Sequence, residues 1–198
     1  MKIAFKEWAV VVDALGSGAQ ILILRKGGIA EGHGGFKMDH SRFLLFPTRF
    51  HQQRESVVES AGVRFDAVQQ VFPAENTVRL EFYAVVAKAC ELRGLDAARA
   101  LKSQHIWKDE VIEKRFDWGG SHSICAIALR IYRLAGPAEL PVLPEYSGCK
   151  SWMELAEDIS TEGASPVLSD SEYELKLDAF LSALAPFPTL PAPPPAFS

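Results

Sequence analysis

Four strand-like runs, unevenly spaced along the chain, constrain the fold more than any other feature. Gln20–Arg25 reads QILILR and Arg42–Pro47 reads RFLLFP, both almost wholly apolar between their polar ends. Thr77–Ala87 alternates Val78, Leu80 and Phe82 against Arg79, Glu81 and Tyr83, the period of a half-buried strand. Ile124–Leu134 is a longer run that stops before Gly136-Pro137. Helical patterns fall around these runs with no repeated strand–helix–strand spacing. That order favours an α+β fold, a compact mixed-sheet domain with flanking helices, over a parallel α/β sheet.

Trp8, Val11, Val12 and Leu15 fall at i, i+3, i+4 and i+7, predicting a first helix that Gly16 and Gly18 stop. A short helix is expected over His51–Ser60, closed by Gly62, and another over Ala97–Leu101, capped by Asp96. Residues 105–120 mix polar and aromatic side chains and are compatible with either helix or irregular structure. Ser151 with Glu154 has the form of a capping box, and Trp152, Leu155, Ala156 and Ile159 make one stripe, predicting a helix there. Ser171 and Glu174 offer a second box before Tyr173, Leu177, Phe180, Leu181 and Leu184. The domain organisation expected is a globular body over 1–160, a linker over 161–170, an amphipathic helix over 171–185 and a disordered tail over 186–198. That helix would dock on the body or on a protein partner. The tail holds six of the twelve prolines and is expected to be extended, without sheet or helix.

With 198 residues, 48% hydrophobic and 23% charged, the chain can bury a core of its own. No apolar run approaches the ~20 residues that span a bilayer, and Lys6, Glu7 and Asp13 interrupt the first apolar stretch where a signal peptide would be clean. A cytoplasmic protein without membrane attachment is therefore expected. Cys90, Cys125 and Cys149 are odd in number and far apart, which suits reduced thiols in or near a core. The net charge of −4 conceals an asymmetry: residues 1–54 carry eight Lys/Arg against four Asp/Glu, whereas 154–178 carry eight acids and one base, Lys176. A basic front half suits an anionic partner, and equally a solvated face.

The densest group of candidate residues is RKGGIAEGHGGFKMDHSRFLLFPTRFHQQ, residues 25–53. Glycine-rich backbone approaches phosphates closely, and Arg25 and Lys26 supply charge; the same glycines also suit a hairpin connection. The Nudix hydrolase spacing is not met, because setting Arg54-Glu55 on its Arg-Glu pair puts His40 and Phe46 where the first glycine and glutamate belong. His40 and His51 match no zinc spacing, and no metal or cofactor is expected. Trp107, Arg115, Phe116 and Trp118 interleave cations with aromatics, as single-stranded nucleic-acid binders do, and as a partly buried amphipathic segment also does.

KEWAVVVDAL, ILILRKGGIAE, FKMDHSRFLLFPTRFHQ, LRIYRL and GCKSWMEL together resemble the bacterial family known as domain of unknown function 1802, over about residues 3–157. Its signature falls on Lys6, Glu7, Trp8, Arg25, Lys26, Gly27, Gly28, Glu31, His40, Pro47, Thr48, His51 and Gln52. The resemblance implies an association with Mrr-like restriction endonuclease domains, although this chain carries no recognisable nuclease domain. Two functions follow. One is a nucleic-acid or nucleotide binding module using Lys6, Trp8, Arg25, Lys26, Gly27, Gly28, Thr48, Arg49 and Gln52. The other is a hydrolase gathering Glu7, Glu31, His40 and His51 in one pocket. A partner-recruiting protein, acting through the acidic helix and tail, is the third.

Overall fold

The structure, a computed structural model, describes residues 1–26, 38–49, 53–73, 76–120, 122–148 and 150–191. In chain order the elements are β1 (Ile3–Trp8), α1 (Ala9–Gly16), β2 (Leu22–Arg25), β3 (Arg42–Thr48), α2 (Gly62–Val71), β4 (Thr77–Leu92), α3 (Leu95–Arg99), α4 (Asp109–Asp117), β5 (Ile124–Pro141), β6 (Trp152–Glu154), β7 (Ser165–Pro166), α5 (Asp170–Leu184) and β8 (Thr189–Pro191). They form one mixed sheet in the order β2-β5-β4-β3-β1-β6, with β7 paired to β5 and β8 to β4. β1 and β3 run parallel, from Ala4 opposite Leu44 to Trp8 opposite Thr48, and the other pairings are antiparallel. The fold is α+β, as the strand spacing implied.

The long pair β4–β5 breaks register between Leu80 and Phe82 and again between Val86 and Lys88. Such irregularities bend a ribbon and raise its twist. The sheet accordingly curls until its two ends meet: β2 and β6 lie at opposite ends of the strand order, yet Arg25 Nη2 at the end of β2 donates to Ser151 Oγ beside β6 at 2.7 Å. Inside the curl sits α1, apolar on nearly every side, with Val10, Val11, Ala14 and Leu15 fully buried in a cluster that includes Phe5, Leu22, Leu24, Phe43 and Phe82. Gly16 closes α1 against the Phe82 ring, where a Cβ would have no room. A smaller cluster of Leu44, Phe46, Leu80, Leu134, Tyr146 and Leu155 forms beyond the alternate side chains of β3 and β4.

Several local expectations are corrected. Residues 152–154 are strand rather than helix, pairing with β1 from Ile3 opposite Glu154 to Phe5 opposite Trp152. The i, i+3, i+4 stripe is shared between two cores: Trp152 packs on the larger cluster, Leu155 and Ile159 in the smaller. Leu155 N and Ile159 N donate to the carbonyls of Lys2 and Met1, so the edge of β1 takes the bonds a helix would have kept internal. β1 itself was not anticipated. Gly62 opens α2 instead of closing a helix, and 54–56 and 59–61 are single 3-10 turns around Val57, which bridges to Trp107. Gly94, not Asp96, precedes α3, and β5 continues through Gly136-Pro137. α5 is capped by Ser169 and Glu172, earlier in the chain than Ser171 and Glu174. In the proline-rich tail, Thr189–Pro191 does build sheet, opposite Cys90, Glu91 and Leu92. The undecided segment contains α4. Cys90 and Cys125 are buried thiols, and Cys149 lies outside the described residues. No helix among the described residues is long and apolar enough to cross a membrane.

Candidate functional site

Where the curled sheet closes on itself it leaves a cavity of about 840 Å3. Its walls come from the end of β1 (Lys6, Glu7, Trp8), the end of β2 (Leu24, Arg25, Lys26), the end of β3 (Phe46, Thr48), α4 with Trp118, and the loop through Tyr146, Ser147 and Gly148 to Ser151. Among the described lining residues six side chains are cationic, Lys6, Arg25, Lys26, Lys114, Arg115 and Lys150, against one carboxylate, Glu7. In a chain of net charge −4 this is a concentration of the opposite sign, and low-dielectric walls focus such a field.

Glu7 is 2% exposed. Its Oε1 accepts from Trp8 N at 2.8 Å and its Oε2 lies 3.5 Å from Arg25 Nη1. Arg25 also lies over the Phe5 ring at 4.8 Å, and its Nε is buried with no hydrogen-bond partner among the described residues. Arg115 reaches in from α4, donating from Nη1 to Leu24 O at 3.3 Å, with its guanidinium 3.9 Å from the Trp107 ring and 5.8 Å from Trp8. Burial lowers the Arg115 pKa to about 10, Glu7 opposing the shift and Arg25 adding to it, so the group stays charged at neutral pH. Lys26 is a latch: Nζ donates to Phe116 O at 2.8 Å and Ser123 O at 2.7 Å, tying the end of β2 to α4 and to the entry of β5. Desolvation lowers its pKa, with Asp117 and Glu91 opposing. Lys114, Lys150 and Trp118 are exposed at the mouth.

α4 is positioned by two buried polar side chains. Gln20 Oε1 accepts from Ile106 N at 3.1 Å while its Nε2 donates to Leu22 O, and His105 Nδ1 accepts from Trp107 N at 3.2 Å. These bonds set Trp107, edge-on to Trp8 at 4.7 Å, as the platform for Arg115. Burial pushes the His105 pKa down to about 4, with Asp109 opposing and Arg115 assisting. The folded state therefore holds a neutral imidazole that the unfolded chain protonates near pH 6.5. The resulting stability, about 3 kcal/mol, is complete above that pH and lost as the pH falls toward 4. Urea midpoints taken from pH 6.5 to 5 should fall more steeply for the natural protein than for His105→Asn, whose amide oxygen can still accept from Trp107. Equal slopes would remove His105 as the cause.

Of the residues singled out in the sequence, Lys6, Glu7, Trp8, Arg25, Lys26 and Thr48 line this cavity. His40 does not; its ring packs on Trp152 at 5.1 Å. Arg49 also points elsewhere, over Phe72 at 4.5 Å. Gly27, Gly28, Glu31, His51 and Gln52 lie outside the described residues. Among the described residues no three histidines, cysteines or acids gather as metal ligands. Arg115 and Trp118, noticed as part of an interleaved segment, belong to the site, while Trp107 and Phe116 beside them are buried supports. Lys114, Lys150 and Ser151 were not anticipated as site residues. Ser151 looked like a helix cap and instead accepts from Arg25.

The fold and cavity define an α+β domain closed around a cationic, partly aromatic pocket. The chain belongs to the family described as Domain of unknown function (DUF1802), whose model matches residues 4–179 and so runs into α5. Among solved structures it is similar to an ASCH protein from Zymomonas mobilis, at 13% identity over 89% of this chain and 96% of that one, with a TM-score of 0.42. No curated protein matches it.

Proposed function

We propose that this protein binds nucleic acid or nucleotides in the cavity, its arginines and lysines holding phosphate and Trp118 offering a face to a base. The observation that carries this reading is the six-to-one excess of cations over carboxylates among the described residues around a cavity of about 840 Å3, a volume within the range that encloses small ligands. Trp118 supports it: a tryptophan 48% exposed beside Lys114 and Arg115 is the pairing of stacking platform and charge that strands use. The restriction–modification link implied by the resemblance fits the same reading, since such systems need modules that grip nucleic acid. The hydrolase alternative has less behind it: of its two described members, His40 packs on Trp152 away from the cavity and Glu7 is already engaged by Arg25.

Fluorescence anisotropy with labelled single- and double-stranded DNA and RNA tests the proposal. Affinity is expected to fall linearly with the logarithm of salt concentration. In Lys114→Gln/Lys150→Gln, which neutralises two exposed lysines at the mouth, the slope for a single strand should become shallower by about 1.4, the share of two phosphates. Trp118→Ala should cost about 1–3 kcal/mol, mostly insensitive to salt. Absence of binding to every probe at low salt would sink the reading.

A further inference from the structure

Around Arg25 and Arg115 the cavity carries more positive charge than its neighbours among the described residues neutralise. Among the described lining residues Glu7 is the one carboxylate; Arg25 pairs with it and Arg115 feels its charge, so one carboxylate serves two guanidiniums. Removing an uncompensated charge from water is costly, and such arrangements concentrate where a ligand completes them. The donors are also incompletely used. Among the described residues Arg25 Nε is buried without a hydrogen-bond partner, and Arg115, a lining residue, donates from Nη1 to Leu24 O. Paired guanidinium forks match the oxygens of a phosphate.

Depth distinguishes an end from a middle. Arg25 spans the seam between β2 and the β1–β6 edge, pairing with Glu7 on one side and bonding Ser151 on the other, so it lines the cavity where the sheet closes. A strand threading past it would have to part that seam, whereas a strand end reaches it from the mouth. A terminal phosphate monoester also carries about −1.5 to −2 charge at neutral pH, more than an internal diester.

Resting on the nucleic-acid reading above, we infer that Arg25 and Arg115 form an oxoanion subsite for a terminal phosphate monoester, the end phosphate of an oligonucleotide or of a mononucleotide. Glu7 spaces and orients the two guanidiniums, and the adjoining nucleoside extends toward Trp118 and the lysines at the mouth.

Single-stranded oligonucleotides labelled internally and bearing phosphate at the 5′ end, the 3′ end or neither test this with the full chain in phosphate-free buffer. One phosphorylated end is expected to bind at least about tenfold more tightly than the unphosphorylated strand, the scale of a bidentate charged contact. Inorganic phosphate should compete for that strand where chloride of equal ionic strength does not. Arg115→Met should erase the difference between ends, and Arg115→Lys, keeping charge but not the fork, should restore it only in part. The comparison of ends on the natural protein needs no variant to fold. If all three strands bind within about twofold of one another, the subsite is wrong while the nucleic-acid reading stands. If no strand binds but calorimetry shows a mononucleotide or inorganic phosphate bound in an Arg115-dependent way, the subsite stands as a small-molecule site and the strand reading falls. If none of these binds, both fall.

Discussion

Glu7→Gln is expected to lower the unfolding free energy by about 3 kcal/mol in buffers without multivalent anions. Glutamine keeps the size of the side chain and an oxygen for Trp8 N, so the change isolates the charge. What remains is Arg25 beside a site where Glu7 was 2% exposed, with the like charge of Arg115 acting on it. Breaking one side of a buried pair leaves the other uncompensated, at a cost of about 3–5 kcal/mol. The low end applies because Arg25 retains 20% exposure and is partly screened. Two further measurements separate this from a packing defect. Arg25→Gln in the Glu7→Gln background should recover part of the loss, since the excess charge goes with it, and the coupling is read from a double-mutant cycle. Inorganic phosphate should also stabilise Glu7→Gln more than the natural protein, following RT ln(1 + [L]/Kd), about 2.7 kcal/mol at a hundredfold excess over Kd. A variant as stable as the natural protein, with no phosphate response, would show that the guanidiniums do not depend on Glu7.

The same residues show where sequence reasoning reaches and where it stops. The apolar runs of β2, β3, β4 and β5 announce themselves because a buried strand needs consecutive or alternating apolar side chains, a requirement local to the chain. The α+β class followed from their spacing. The strand at Trp152 failed for the complementary reason. Ser151 and Glu154 satisfy the local grammar of a helix start, but the open edge of β1, some 150 residues away in the chain, supplied better partners. β1 was missed because Ile3–Trp8 runs straight into the apolar helix α1, and one continuous stretch hides the change of period at Trp8. The site followed the same rule. Lys6, Glu7, Trp8, Arg25 and Lys26 could be singled out as chemistry-bearing, yet their convergence depends on the curl produced by register shifts in β4–β5. No spacing between Glu7 and Arg25 encodes that closure. Lys114 and Lys150 stayed invisible because exposed lysines are common, and only their position at the mouth distinguishes them.

Phe180→Ala is expected to destabilise the whole domain by about 3–5 kcal/mol, a fall in Tm of roughly 10 °C for a chain of this size. The ring is fully buried, and with Tyr173 and Leu184 it joins the cluster that contains α1, β2 and β5. Polar contacts fix the same helix: Arg130, 12% exposed, lies over the Tyr173 ring at 4.4 Å and donates to Leu168 O at 3.0 Å and to Asp170, while Lys176 and Gln104 bond across to Ala19 O and Ala179 O. Beyond the helix, β8 pairs with β4 over Cys90 to Leu92, so the chain is held on both sides of Phe180. Because the face with Tyr173, Phe180 and Leu184 is occupied by the chain's own core, α5 presents solvent with acids such as Asp170, Glu174 and Asp178, and with Leu175 and Leu181. Calorimetry decides between an integral element and an appendage. An integral α5 gives one transition in both proteins, lowered as a unit in Phe180→Ala. An appended helix would leave the main transition in place and add a separate early one, and α5 would then have to be assigned to a partner instead of to the fold.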